Sequence, residues 1–291
     1  MPFSSYLKTK LNDNDFSSKS IIAKLQLFSS SFDKLDPVTL SRWVNGRTIP
    51  TLEKQLLVVR CFDSSFYPNL EHIIAPAVSR SQLKVYESLF NNVESSYHSI
   101  LTYKEASDSR LKPSIEKVNW SKLQCLLPGF YESTLSYNRA LPVLNRLDEN
   151  NVTFCSLRSR DKVISHLSIN HDINYLKAIF GHNVNIDFDK KSVVFNIGYY
   201  SNREHYKILV GLLLNHICYH HEKIEDFYVI ARGMGFLKLI ESLGGKLLSA
   251  NKEDNAIGNV YLLKMDFMRA ITNPFAFSLL KESYGTYKDI N

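Results

Sequence analysis

The sequence predicts a multidomain chain: an all-α domain over residues 1–63, a helical connector over 64–148, and a mixed α/β domain over 149–291. Three observations predict it. Apolar residues recur at helical spacing through the first 63 residues and again over 79–103. From about Val152 the pattern changes, and short β-branched and aromatic runs alternate with helical ones. With 291 residues, 44% hydrophobic and 22% charged, the chain has material for more than one globular core and is not mainly disordered.

The elements follow in order. Leu7 and Leu11 share a helix face, and Ile21, Leu25 and Phe28 sit at i, i+4 and i+7 on the next helix. A third helix is expected to start at Asp36-Pro37, where Asp accepts from free N–H groups and Pro suits the first helical position. It carries Leu40 and Trp43 inward and stops at Asn45-Gly46. Thr51 caps a fourth helix, LEKQLLVVRCF, whose stripe is Leu52, Leu56 and Val59 and whose first turn holds Glu53. Residues 64–78, with two prolines, read as a connector. Leu83, Tyr86, Leu89, Phe90, Val93 and Tyr97 then mark a long amphipathic stretch over 79–103. The polar run 104–117 (KEASDSRLKPSIEK) reads as a flexible break, and a helix kinked at Pro142 is expected from Tyr131 to Asp148.

Beyond Val152 the strand-like runs are VTFCSL, KVISHLSI, VNIDFD, SVVFNIGYY, DFYVIA, GKLLSA and NVYLLKMDFM. Helical patterns occupy DINYLKAIF, REHYKILVGLLLNHICYHH and GMGFLKLIESL between them. Polar turns at Asp189-Lys190-Lys191 and from Asn251 to Gly258 suggest hairpins, hence a largely antiparallel sheet.

No apolar run approaches the ~20 residues of a membrane-spanning helix, and the longest is ILVGLLL (208–214). The start of the sequence has no signal-peptide pattern, and Cys61, Cys125, Cys155 and Cys218 lack a short pairing spacing. A cytoplasmic protein with reduced thiols and no membrane partner is expected. The net charge is +6, and half of that excess falls in residues 1–63, where nine Lys/Arg face six Asp/Glu.

Residues 36–57, DPVTLSRWVNGRTIPTLEKQLL, carry a motif. They resemble the helix-turn-helix of phage-repressor-like (XRE-type) transcription regulators, whose recognition helix and turn commonly read T-I-S-R-W-E-N-G-x-x-x-P-S-L-x-x-L. The match falls at Thr39, Ser41, Arg42, Trp43, Asn45, Gly46, Pro50 and Leu52, with Leu40, Val44 and Thr51 substituted, and the resemblance spans residues 3–63. It implies an N-terminal helix-turn-helix domain bound to double-stranded operator DNA. The residue chemistry points the same way. With Leu40 and Trp43 buried, Val38, Thr39, Ser41 and Arg42 face outward as base readers, Arg42 to guanine and the methyls of Val38 and Thr39 to thymine. Asn45 and Arg47 suit phosphates, as does Lys34 in the longer-than-usual turn Ser29–Leu35. The resemblance adds Ser17, Ser18 and Lys19 as phosphate contacts. One short recognition helix reads few base pairs, so a homodimer is expected.

The order of strands and helices over 152–272 resembles the GNAT acetyltransferase fold, most closely in DFYVIARGMGFLKLIESLGGKLLSA followed by NVYLLKMDF. In that family the strand matching SVVFNIGYY leads into a glycine-containing loop that holds the CoA pyrophosphate at a helix N-terminus. Here the segment reads Tyr200-Ser201-Asn202-Arg203-Glu204-His205-Tyr206: the glycines are missing and Glu204 repels phosphates. The domain is therefore expected to be GNAT-like but not an enzyme, without cofactor or catalytic residues, serving dimerisation or the sensing of a small-molecule or protein effector. His216 and His220, near His205, Cys218, His221 and Glu222, are weighed as zinc ligands and read instead as a polar helix end, so no metal is expected. Arg232-Gly233-Met234-Gly235 reads as a strand-to-helix turn, and Tyr199-Tyr200 as core or dimer contacts.

These readings converge on a sequence-specific DNA-binding transcription regulator. The rivals are a DNA-tethered CoA-dependent N-acyltransferase and an antitoxin-like, protein-binding regulator.

Overall fold

The computed structural model describes residues 2–13, 16–81, 83–89, 111–146, 152–181, 184, 186, 191–220, 224–253 and 258–291. The chain forms two compact units, residues 1–78 with 217–222, and residues 79–216 with 223–291.

The described residues 2–78 of the first unit contain helices α1 (Phe3–Asp13), α2 (Ser18–Phe28), α3 (Pro37–Val44) and α4 (Leu52–Asp63), with short 3-10 helices at Ser30–Phe32 and Tyr67–His72. Local signals set the ends. Asp36 and Thr51 accept backbone N–H groups at the starts of α3 and α4, and Gly46 takes a φ of +67° beyond the end of α3. Leu7, Ile21, Leu25, Leu40, Trp43, Leu56 and Val59 are buried. Phe28, expected on the inner stripe, is 45% exposed. The chain turns there, with Ser29 N–H bonded to the Leu25 carbonyl, and Phe32 of the next turn is buried instead. The connector expected over 64–78 carries buried Phe66, Tyr67, Leu70 and Ile73. Gln55 on α4 grips it, donating to the Pro50 and Ile74 carbonyls (3.0 and 2.9 Å) and accepting from Ile74 N–H (2.7 Å).

The second unit is built on a seven-stranded sheet of order β1-β2-β3-β4-β5-β7-β6. Its strands are β1 (Lys112–Val118), β2 (Val152–Ser159), β3 (Lys162–Asn170), β4 (Ser192–Phe195), β5 (Asp226–Arg232), β6 (Lys246–Asn251) and β7 (Val260–Asp266). Every neighbouring pair is antiparallel except β4 and β5. The flexible break read over 104–117 is corrected by β1, which pairs with β2 from Lys112↔Arg158 to Val118↔Val152. Pro113 and the charged residues are tolerated because β1 is an edge strand, where a missing N–H costs no ladder bond. The run VNIDFD lies largely outside the described residues, as does the amphipathic stretch beyond residue 89.

Helices α5 (Trp120–Leu126), α6 (Leu135–Leu144), α7 (Leu176–Phe180), α8 (Arg203–His220), α9 (Met234–Ser242), α10 (Phe267–Ile271), α11 (Pro274–Glu282) and α12 (Tyr284–Ile290) accompany the sheet, with a short 3-10 helix at Ile173–Tyr175. The helix expected from Tyr131 starts only at Leu135, because a distant residue caps it. The buried Glu253 carboxylate accepts the N–H groups of Leu135 (2.6 Å) and Ser136 (3.0 Å). On α8, a Cβ at Gly211 would lie 2.2 Å from Ser283 Oγ and 2.5 Å from the Leu279 carbonyl, so glycine is what lets α8 approach the end of α11.

Candidate active-site cleft

The strand read as SVVFNIGYY stops early, and the interruption opens a cleft. β4 and β5 run in parallel register from Ser192↔Asp226 to Phe195↔Val229 and then separate. The chain after β4 stays with β3: Asn196 N–H donates to the Ser168 carbonyl (2.9 Å), and Tyr199 and His166 exchange both backbone bonds (2.9 and 2.7 Å). Three residue steps on this side face two on β3, which is a β-bulge at Ile197-Gly198. Gly198 allows it, since a Cβ there would lie 2.7 Å from both the His166 carbonyl oxygen and Leu167 Cδ1.

Where the strands part lies a cavity of about 80 Å³. Phe195, Ile197, Val229 and Ile230 line it from the strands. Tyr206, Val210 and Leu214, one stripe of α8, line it with Phe236 and Ile240 of α9. Its wall is apolar apart from a few groups, chiefly Asn196 and Arg232.

Asn196 is the hub of a buried polar network. Its Oδ1 accepts from the hydroxyls of Tyr175 and Tyr137 (3.3 Å for Tyr137), and its Nδ2 donates to Ser168 Oγ (3.0 Å). The Tyr131 hydroxyl stands 3.4 Å from the same serine oxygen, and Ile197 N–H donates to Tyr137 Oη at 3.5 Å. Burial raises the phenol pKa of Tyr131 and Tyr175, so both remain protonated donors at neutral pH. The Trp120 ring packs against those of Tyr131, Tyr137 and Tyr175 at 5.3–6.2 Å. Arg232, 4% exposed at the end of β5, donates to the Ser133 carbonyl at 3.5 Å.

The first turn of α8 is satisfied by its own neighbourhood. Asn202 Oδ1 accepts His205 N–H (2.9 Å), and Ser201 N–H donates to Ser165 Oγ (3.1 Å). His205 Nδ1 lies 2.7 Å from Ser165 Oγ and 2.8 Å from Ser201 Oγ. Burial lowers the His205 pKa, which favours the neutral ring. Glu204 meets Lys207 at 3.0 Å and Arg203 at 3.5 Å.

The residues expected to meet DNA lie in the first unit. Val38, Ser41 and Arg42 are exposed on α3, and Thr39 is half-buried. Thr39 is held by Asp36, donating its N–H (2.7 Å) and hydroxyl (3.1 Å) to that carboxylate; the backbone bond is the main reason the Asp36 pKa is lowered. Asn45 Nδ2 donates back to the Ser41 carbonyl (2.9 Å). Ser17 serves as N-cap of α2, accepting Ser20 N–H, while Ser18, Lys19, Lys34 and Arg47 are exposed. His216 is buried between Thr153 Oγ1 (3.4 Å) and Tyr287 Oη (3.3 Å). Among the described residues no three His, Cys, Asp or Glu side chains gather as a metal site; His221 and Glu222 lie outside them. No helix among the described residues is long and apolar enough to cross a membrane.

Sequence reasoning missed Asn196, Tyr137, Tyr175 and Ser168. One signal was present: a glycine inside a strand pattern, Gly198, marks a bulge.

No family model matches the sequence, and no curated protein does. Solved structures do match part of the chain. A probable acetyltransferase from Staphylococcus epidermidis is 14% identical with a TM-score of 0.33, covering 53% of this chain and 99% of its own. A CoA-dependent acyl-homoserine lactone synthase, BjaI, is 9% identical with a TM-score of 0.38, covering 60% and 90%. The spermidine/spermine N-acetyltransferase SpeG from Vibrio cholerae is 10% identical with a TM-score of 0.34, covering 55% and 98%. The likeness to these GNAT-like structures extends over little more than half of the chain.

This corrects the expectation of a DNA-binding, XRE-type transcription regulator that is not an enzyme. The structures this chain is similar to are a probable acetyltransferase, an N-acetyltransferase and a CoA-dependent acyl synthase. The physical reason for the error is a matter of weight. The missing loop glycines bear on how a phosphate is held, and they leave the strand separation and the apolar cleft untouched.

Proposed function

We propose that the second unit is an acyltransferase that takes an acyl thioester into the cleft between β4 and β5 and passes the acyl group to an amine. The observation that carries this reading is the parting of the parallel strands after Phe195 and Val229, with the Ile197-Gly198 bulge at the lip of an apolar cavity. An extended, mostly neutral thioester arm suits such a slot. The bulge supplies a backbone donor, Ile197 N–H, whose bond to Tyr137 Oη is long at 3.5 Å. That donor stabilises the oxyanion formed when the amine nitrogen attacks the thioester carbonyl. The C–N bond forms and the C–S bond breaks, and the proton leaving the amine balances the one taken up by the departing thiolate. Asn196 and its tyrosines hold the bulge in place. Arg232 sets a positive charge on the cleft wall.

The test is thiol release by the full-length chain from acetyl-CoA and hexanoyl-CoA across a panel of primary amines, with calorimetry of each thioester alone. Amine-dependent release that is lost in Val210→Trp, which fills the cleft, supports the reading. Binding of neither thioester at millimolar concentration would overturn it.

A further inference from the structure

We infer that the acyl donor is recognised through its acyl-pantetheine portion alone, and that the nucleotide of a CoA thioester adds nothing to binding. This rests on the acyltransferase reading and concerns how that same site chooses its donor.

A helix N-terminus grips a diphosphate when its N–H groups are free and the backbone before it can approach closely, which is why glycine serves there. The start of α8 is poorly placed on both counts. Asn202 already caps it through His205 N–H. Ser201 N–H, two residues before the helix, is given to Ser165 Oγ. The His205 ring is held between the Ser165 and Ser201 hydroxyls, and its lowered pKa denies a phosphate a cationic imidazolium. No glycine occurs from Tyr199 to Val210. The one just before, Gly198, has its Cβ direction closed by the His166 carbonyl of β3 and serves the bulge.

Charge points the same way. Glu204 projects from the first turn, its side chain 64% exposed, and engages both Arg203 and Lys207. A diphosphate there would have to displace a carboxylate from two cations before gaining anything. The apolar stripe Tyr206, Val210 and Leu214 along the cleft carries no such penalty and suits the neutral pantetheine arm. The shared chemistry is therefore an acyl thioester of pantetheine, delivered either as free CoA thioester or on the phosphopantetheine arm of a carrier protein.

The experiment compares kcat/KM of the full-length chain for acetyl-CoA and S-acetylpantetheine with one amine, and measures competition by adenosine 3′,5′-bisphosphate. The inference predicts that the two donors agree within about threefold and that the bisphosphate does not compete. A preference for acetyl-CoA of about thirtyfold or more, or competition by the bisphosphate, would overturn the inference and leave the acyltransferase reading standing. Failure of both donors would sink that reading first, and this one with it. Glu204→Gln is expected to raise the ratio of acetyl-CoA to acetylpantetheine several-fold without changing acetylpantetheine itself; an unmoved ratio counts against the role given to Glu204. An acetylated carrier protein separates the two sources, since turnover above acetyl-CoA assigns a protein-borne arm, turnover at or below it assigns the free thioester, and either agrees with recognition of the arm alone.

Discussion

The two units treat their polar side chains in opposite ways. Among the described residues the first unit buries one polar side chain, Gln55. The second buries more than a dozen, among them His166, Ser168, Asn170, Asn196, Asp226, Arg232 and Glu253. Burying a polar group costs free energy unless its partners are supplied, so a fold that does it repeatedly is fixing positions that apolar packing alone leaves loose. The polar residues of α3, by contrast, largely face solvent or serve its own backbone, as Asp36 does for Thr39 and Asn45 for Ser41. The longest sequence motif and the densest buried chemistry therefore belong to different units. A motif's length measures how well a helix and its turns are specified, and says little about where a reaction is held.

The sharpest way to break this comparison is Asn196→Leu. It removes the acceptor of two buried phenols and the donor to Ser168. With each orphaned group worth ~1–3 kcal/mol, a loss of about 3–5 kcal/mol in urea unfolding is expected, together with loss of acyl transfer. A loss below about 1 kcal/mol would show that the network does not frame the bulge. The matching change in the first unit, Gln55→Leu, leaves Ile74 N–H and two carbonyls without their side-chain partner. It is expected to cost about 2 kcal/mol while kcat/KM stays unchanged. A collapse of turnover on Gln55→Leu would erase the distinction between the units.

His166 sharpens it through pH. It is 3% exposed on β3, against the rings of Phe130 and Phe154, and burial pushes its pKa down to about 3. The unfolded chain takes up that proton near pH ~6.5, its ordinary value, while the folded one resists it. The contribution is therefore complete above the unfolded value, declines as pH falls below it, and is exhausted at the folded pKa. About 2 kcal/mol is expected to disappear between roughly pH 6.5 and 5, read as a falling urea midpoint, and His166→Phe should remove that part of the slope. Equal slopes in both proteins would place the acid sensitivity elsewhere.

What the sequence made legible was local. Asp36-Pro37, Asn45-Gly46 and Thr51 mark helix ends by caps and turns that need no distant partner, and α3 and α4 begin and end beside them. The run KVISHLSI shows itself by composition alone, as does DFYVIA. β1 stayed hidden because an edge strand carries polar residues and a proline, and so reads like a loop. The start of α6 was missed because its cap, Glu253, comes from more than a hundred residues away. The cleft was harder still. Tyr131, Tyr137, Ser168, Tyr175 and Asn196 lie on separate segments, each unremarkable alone, and only the sheet order brings them together. Gly198 was the readable clue, but within SVVFNIGYY it looked like part of a continuous strand.

The smallest expected effect tests the comparison from its other side. Arg42 is exposed on α3, within the motif of residues 36–57. Its charge contributes least among the influences that lower the Asp36 pKa, behind the Thr39 bonds and the Val38 N–H, so removing it barely disturbs the cap. The buried side of the helix, Leu40 and Trp43, is untouched by the change. Arg42→Ala should therefore leave the urea midpoint within the ±0.5 kcal/mol or so typical of surface substitutions, and leave thiol release unchanged. Trp43→Ala, one residue along the same helix, should cost about 3–5 kcal/mol through the cavity it leaves. If Arg42→Ala abolished thiol release while folding stayed intact, a solvent-facing residue of the first unit would be required for the chemistry assigned to the second. The contrast between a polar surface and a polar interior would then no longer locate the reaction.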